Sequence, residues 1–234
     1  MPLLNEHPIV LGAHSVRTTL LGIKTQTRRV IKPTHLIRFG WLKQYHIKNV
    51  KSGRMRDGGW HMDHPWAGKV FEGAKIAPDS SLGWIRCPYG TAGNKLWVRE
   101  QFQPLWLDPD PKAHRDYKTG EGYCINYLAT DGRVEWDNGS TRTNKYKSPI
   151  YMPKWASRIT LDIVSIRVER LKDISEEDAI AEGVSPHVDF SGVYSARDNY
   201  QDHWDDINRK LGFGWEENPW VWVVEYSKVE EGVA

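Results

Sequence analysis

Lys24, Arg28, Arg29 and Lys32 place four cations within nine residues of a 234-residue chain. Thr25, Gln26 and Thr27 lie among them, so the segment can hold an anion. Guanidinium forks take phosphate oxygens in pairs, and hydroxyls and amides fill the remaining bonds. The same residues also suit a solvated strand end, and both readings stay open on the segment alone. Twelve tryptophans accompany it. Their flat faces fill cores or stack on unpaired bases, and Trp41, Trp60 and Trp66 are the candidates for stacking. The run His61-Met62-Asp63-His64 could chelate a metal if it were one helical turn. Gly58-Gly59 and Pro65 break such a helix and no third ligand motif appears, so a surface loop is expected, with no metal and no cofactor. Cys87 and Cys124 have neither a disulfide nor a metal spacing, and Cys87 beside Pro88 reads as structural.

The elements that must position these groups are legible in part. A helix over Ser15–Leu21, with Ser15 as N-cap and Gly22 just past its end, feeds the basic segment, which reads as a turn entering a strand. Gly93-Asn94 is a turn before a strand over Lys95–Arg99. From Trp155 to Leu171, Ile159, Leu161 and Ile163 alternate with polar residues, and then Val164, Ile166 and Val168 alternate on the opposite phase. A period of two that slips by one residue predicts a β-bulge or a strand bending round a barrel. Ser175 opens an acidic helix ending at Gly183. A second helix over Arg197–Leu211 has Tyr200, Trp204, Ile207 and Leu211 on one face, and Trp220–Tyr226 reads as a buried central strand. The stretches 34–88 and 104–148 are irregular insertions carrying short strands such as Tyr123–Ala129. No Gly-rich phosphate loop and no βαβ alternation occur, so a dinucleotide-binding sheet is not expected.

Composition bounds the rest. The net charge of +2 is too small for bulk coating of nucleic acid. The longest apolar run, Trp220–Val224, cannot span a bilayer, and no secretory leader is read, so a cytoplasmic protein with no membrane partner is expected. No oligomeric state is read from the sequence.

The segment Gly22-Ile23-Lys24-Thr25-Gln26-Thr27-Arg28-Arg29 resembles the Gly-x-Lys-Thr-x-Thr signature of ASCH domains, which share the PUA fold. Gly93-Asn94-Lys95-Leu96 resembles the family's Gly-Asp-x-Leu turn, with Asn94 in place of Asp. Leu171 through Glu182 resembles its strand-to-helix passage, and Trp220–Tyr226 its last strand. Across nearly the full length the chain is similar to a group of phage and prophage proteins with this core. The likeness is carried by Arg86-Cys87-Pro88-Tyr89-Gly90, Leu96-Trp97-Val98-Arg99-Glu100, Met152 through Arg158, and Asn218-Pro219-Trp220-Val221-Trp222. The resemblance implies an α+β fold: one PUA-like mixed β-barrel over 1–234 with flanking helices and the two insertions.

Some small bacterial members are N4-acetylcytidine amidohydrolases using a Lys, a Thr and a Glu. Carried across, these fall on Lys24, Thr27 and Glu182; Arg28, Arg29, Lys32, Trp97 and Glu100 are the residues expected to bind substrate or nucleic acid. Amide hydrolysis then needs Thr27 to attack or to orient water, Lys24 to act as a neutral base, and Glu182 to protonate the leaving nitrogen. In a regular strand Lys24 and Thr27 would face opposite sides, so this reading requires irregular backbone at residues 24–27. The implied partner is RNA or a nucleoside-type small molecule. Two other readings remain: a non-catalytic RNA or modified-base binder, and an ASCH-type ribonuclease using the same Lys and Arg.

Overall fold

The computed structural model describes residues 5–31, 87–106, 119–132, 146–189 and 192–229, with the backbone of five short strands between 52 and 85. In chain order the elements are β1 (Glu6–Val10), α1 (Ala13–Leu20), β2 (Gln26–Val30), β3 (Ser52–Arg54), β4 (Trp60–Met62), β5 (Val70–Phe71), β6 (Ala74–Lys75) and β7 (Trp84–Ile85). They continue with β8 (Lys95–Arg99), β9 (Phe102–Trp106), β10 (Tyr123–Tyr127), α2 (Leu128–Asp131), β11 (Thr160–Arg170), α3 (Glu176–Ala181), β12 (His187–Asp189), β13 (Gly192–Tyr194), α4 (Ala196–Asn208) and β14 (Trp220–Lys228). The mixed α+β class expected from the sequence is observed.

A five-stranded sheet in the order β1-β8-β11-β14-β2 organises the chain. Only β1 and β8 run parallel; the other neighbours are antiparallel. Strand β14 lies between β11 and β2 and is apolar on both faces, as the run Trp220–Tyr226 requires. Trp222, Val224 and Tyr226 join Ile9, Leu11, Val16, Leu96, Val98, Leu161 and Ile163 on an inner face. Val221 and Val223 face outward, where α3 and α4 cover them with Ala179, Tyr200 and Trp204, joined by Trp215 from the turn before β14. Every second residue changes face, so the strand's sequence serves two cores at once.

The slip in the β11 pattern is a bulge. The β11–β14 register shifts between Ile163 and Ser165, and the extra residue, Val164, is 58% exposed. The shift returns Ile166 and Val168 to the inner core already holding Leu161 and Ile163.

Several expectations are corrected. Among the described residues no ladder joins the two edge strands, so the expected barrel is not closed by backbone pairing. The chain leaves β1 directly into α1, whose Val16 enters the inner core, and the seam is bridged by Arg29 Nη2 donating to the Val10 carbonyl at 2.6 Å. Helix α1 begins at Ala13 with Gly12, not Ser15, as N-cap; its end at Gly22, φ +74°, is as expected. On α4, Tyr200 and Trp204 are buried but Ile207 and Leu211 are exposed. The buried stripe advances by fours from Ala196 through Tyr200 and Trp204, and Arg209–Leu211 tightens into a 3₁₀ turn that takes Leu211 off it. Strand β10 stops at Tyr127, because Leu128–Asp131 turns into α2 and Asp131 accepts from the Tyr127 amide at 2.8 Å. Trp60–Met62 is a strand, not a loop. Lys32, Pro33, Trp41, Asp63, His64 and Trp66 lie outside the described residues, and the side chains of Trp60 and His61 do too. No helix among the described residues is long and apolar enough to cross a membrane.

Candidate functional site

Residues 24 and 25 precede β2, and the Thr25 carbonyl still accepts from the Tyr226 amide of β14 at 2.8 Å. The Lys24 amide donates to the Thr18 carbonyl and the Thr25 amide to the Ala181 carbonyl. The Lys24 side chain lies on the same side as Gln26 and Arg28, which also meet α3, and so opposite Thr27; it reaches the C-terminal end of α3. There Nζ donates to Glu182 Oε2 at 2.6 Å and to the Glu182 carbonyl at 2.7 Å. Glu182 occupies the C-cap of α3, and Gly183 follows at φ +86°. A Cβ on Gly183 would lie 2.7 Å from Thr18 Oγ1 and 3.2 Å from Lys24 Cβ, so glycine lets α3 close on Lys24. Both side chains of the pair are 4% exposed. Lys24 is therefore not part of a solvated strand end, although Thr25 beside it is exposed.

Arg28 shares that carboxylate. Its fully buried guanidinium donates to Glu182 Oε1 at 3.4 Å, Glu169 Oε1 at 2.5 Å and Asp178 Oδ2 at 2.6 Å. Sheet register explains the meeting. Arg28 pairs with Val223, and Val223 with Arg167, so one row across three strands carries two arginines flanking a valine. Glu169 bridges them, since its second oxygen accepts from Arg167 Nε at 3.0 Å. Asp178 Oδ2 also accepts from Arg167 at 2.9 Å, and Arg167 Nη1 pairs with Glu225. Three cations and four carboxylates thus interlock beside α3 and α4.

Thr27 lies on the other face of β2. It pairs with Val224 and is buried among the inner-core residues, and its hydroxyl makes no hydrogen bond to a described residue. Arg29 follows on the same face, opposite Trp222. Tyr226 on this face shares a 3.3 Å contact with the Thr19 hydroxyl.

Burial and charge set the protonation states. Burial pushes the Lys24 ammonium below the ordinary lysine range; Glu182 resists the shift, while Arg29 and Arg28 add to it. Burial also opposes the charged form of Arg28, but Glu182 and Glu169 outweigh it and raise its pKa. Burial raises the phenols of Tyr200 and Tyr226, with Glu182 adding to both. On the solvent side, partial burial and the neighbouring His14 lower His203; the two rings sit 6.2 Å apart, and His14 meets the Gly183 carbonyl.

Of the residues proposed from sequence, Lys24, Arg28 and Glu182 come together, with Thr27 and Arg29 across β2. Two are engaged elsewhere. Glu100 is held by Arg158 in a bidentate pair at 2.9 and 3.0 Å, and Arg158 also stacks on Tyr127. Trp97 is buried beneath the Arg99 guanidinium at 4.5 Å, so that face is not open to a base.

No family model, curated protein or solved structure matches this chain.

Arg167, Glu169, Tyr200 and Tyr226 belong to the site but were not proposed from sequence. The signal for the first two was the spacing Arg167-x-Glu169 on a strand whose intervening residues face the core. The tyrosines carried no signal, because a helix and the last strand bring them in. No group of three or more His, Cys, Asp or Glu among the described residues could hold a metal. Cys87 is half-buried, and burial pushes its thiol up to about 12. At pH 8 roughly one thiol in ten thousand would then be ionised. Iodoacetamide is expected to label exposed Cys124 and spare Cys87, as read by peptide mass spectrometry; equal labelling would contradict this.

Proposed function

We propose that the protein is a nucleoside-recognising enzyme of the ASCH type, with a PUA-like core, that hydrolyses the amide of an N4-acylated cytidine. The observation that carries this reading is the buried Lys24–Glu182 pair, 2.6 Å across and formed by residues 158 apart in sequence. A pair of this kind has two forms with the same proton count. The ammonium–carboxylate form is favoured in water; the amine–carboxylic acid form gains ground as water is excluded. Transfer of one proton along the hydrogen bond therefore supplies a neutral base and a neutral acid together, with no change in net charge.

The reaction follows from those groups. A water gives its proton to neutral Lys24 as its oxygen attacks the acyl carbon. The tetrahedral intermediate collapses with cleavage of the bond from acyl carbon to N4. Glu182 delivers the proton that N4 requires, and the Lys24 proton restores Glu182. The products are a carboxylic acid and cytidine. Arg28, neutralised by three carboxylates, holds Glu182 in place and does not meet the substrate. Thr27 lies on the inner face of β2, opposite Lys24, so its part in orienting that water rests on the resemblance and is tested by its own substitution.

Incubation of wild type with N4-acetylcytidine should release cytidine and acetate, and Lys24→Ala, Thr27→Ala and Glu182→Ala should each lose turnover while staying folded. Absence of turnover by folded wild type would sink the reading and leave the binding and ribonuclease alternatives for RNA assays.

A further inference from the structure

The two adjacent arginines of β2 have opposite charge balance. Arg28 is met by Glu169, Asp178 and Glu182. Arg29 meets no carboxylate among the described residues. Its one hydrogen bond there goes from Nη2 to the Val10 carbonyl, and its Nε is buried with no partner. A half-buried guanidinium without a countercharge carries a desolvation cost that no described carboxylate offsets. It shares the inner face of β2 with Thr27, whose hydroxyl is also without a hydrogen bond among the described residues. A planar fork with a vacant donor, and a hydroxyl two residues away on the same face with no partner among the described residues, make a donor set for a tetrahedral oxyanion.

We infer that Arg29 binds the phosphate of the ligand, so that the preferred substrate class is a cytidine nucleotide and not the free nucleoside. This rests on the nucleoside reading above and adds to it the anionic group that a nucleoside most simply carries. Arg28 is excluded from the role because its donors are already taken. Arg99 provides a contrast: its Nε is also buried without a partner, but its guanidinium covers Trp97, which shares a face of β8 with it and not with the inner core.

The test is calorimetric titration of wild type, Arg29→Met, Arg29→Lys and Arg99→Met with cytidine, cytidine 5′-monophosphate and a three-nucleotide cytidine RNA. Wild type should bind the monophosphate at least tenfold more tightly than cytidine, with the advantage shrinking as salt rises. Arg29→Met should bring the ratio close to one, Arg29→Lys should keep part of it, and Arg99→Met should keep it all. RNA binding more tightly than the monophosphate would assign the phosphate to a polymer; the reverse would assign it to a free nucleotide. Either supports the inference. A wild-type ratio within twofold, or one that survives Arg29→Met, overturns it. Because binding is read without turnover, a phosphate preference in a protein that leaves N4-acetylcytidine intact would sink the catalytic reading alone.

Discussion

Arg28→Met is expected to lower folding stability by about 3–5 kcal/mol, the cost typical of removing one partner from a buried ion cluster. Methionine fills most of the space, so the loss is electrostatic more than steric. Glu169, Asp178 and Glu182 would lose the fully buried guanidinium that all three share. Arg167 still reaches Glu169 and Asp178, which leaves Glu182 with Lys24 alone. The pH dependence gives a second reading. Burial pushes Asp178 up, but Arg28 and then Arg167 outweigh it and hold the carboxyl below its usual value. A carboxyl depressed in this way stabilises the fold above its unfolded pKa of about 3.9, and that stability is lost as pH falls through the lower folded value. The gap between wild type and Arg28→Met should therefore be widest near neutrality and narrow below about pH 4. Urea unfolding at several pH values measures both. A loss under 1 kcal/mol, or a gap independent of pH, would show that the cluster does not hold Arg28 as described.

Glu182→Gln is expected to reduce kcat/KM on N4-acetylcytidine by about 10²- to 10⁴-fold, the usual worth of a positioned acid or base. The amide keeps the shape and can still accept from Lys24, but it cannot exchange a proton with it. Its effect on pH is more diagnostic than its size. Lys24 lies below the ordinary lysine range because burial outweighs the pull of Glu182. Removing that carboxylate takes away the main influence holding the value up, so Lys24 should fall further. If neutral Lys24 is the base, the acidic limb of the rate profile moves to lower pH in the variant. Stability carries the matching sign: a lysine whose folded pKa is depressed weakens the fold at low pH, and stability recovers as pH rises from the folded value toward about 10.4. A rate profile unmoved by the substitution, or a loss below fivefold, would remove Glu182 and Lys24 from the chemistry.

Much of the scaffold was legible from residue order alone, because each of those features depends on local chemistry. Gly22 and Gly183 mark helix ends, since positive φ at a C-terminus favours glycine wherever the helix lies. The phase slip at Val164 announced a bulge because side-chain direction alternates strictly along a strand. The apolar run of β14 announced burial on both faces. What the sequence could not carry was charge compensation. Arg28 and Arg29 are neighbours of one type, yet one is enclosed by three carboxylates and the other by none among the described residues. Their fates diverge because successive residues of a strand face opposite sides, and because α3, drawn from 150 residues further on, covers only one of them. The same holds for Glu100 and Trp97, which sequence grouped with the site and the fold engages with Arg158 and Arg99. Types and spacings nominate ionisable groups. Which of them meet, and how much water they keep, depends on strand register and on the packing of distant helices.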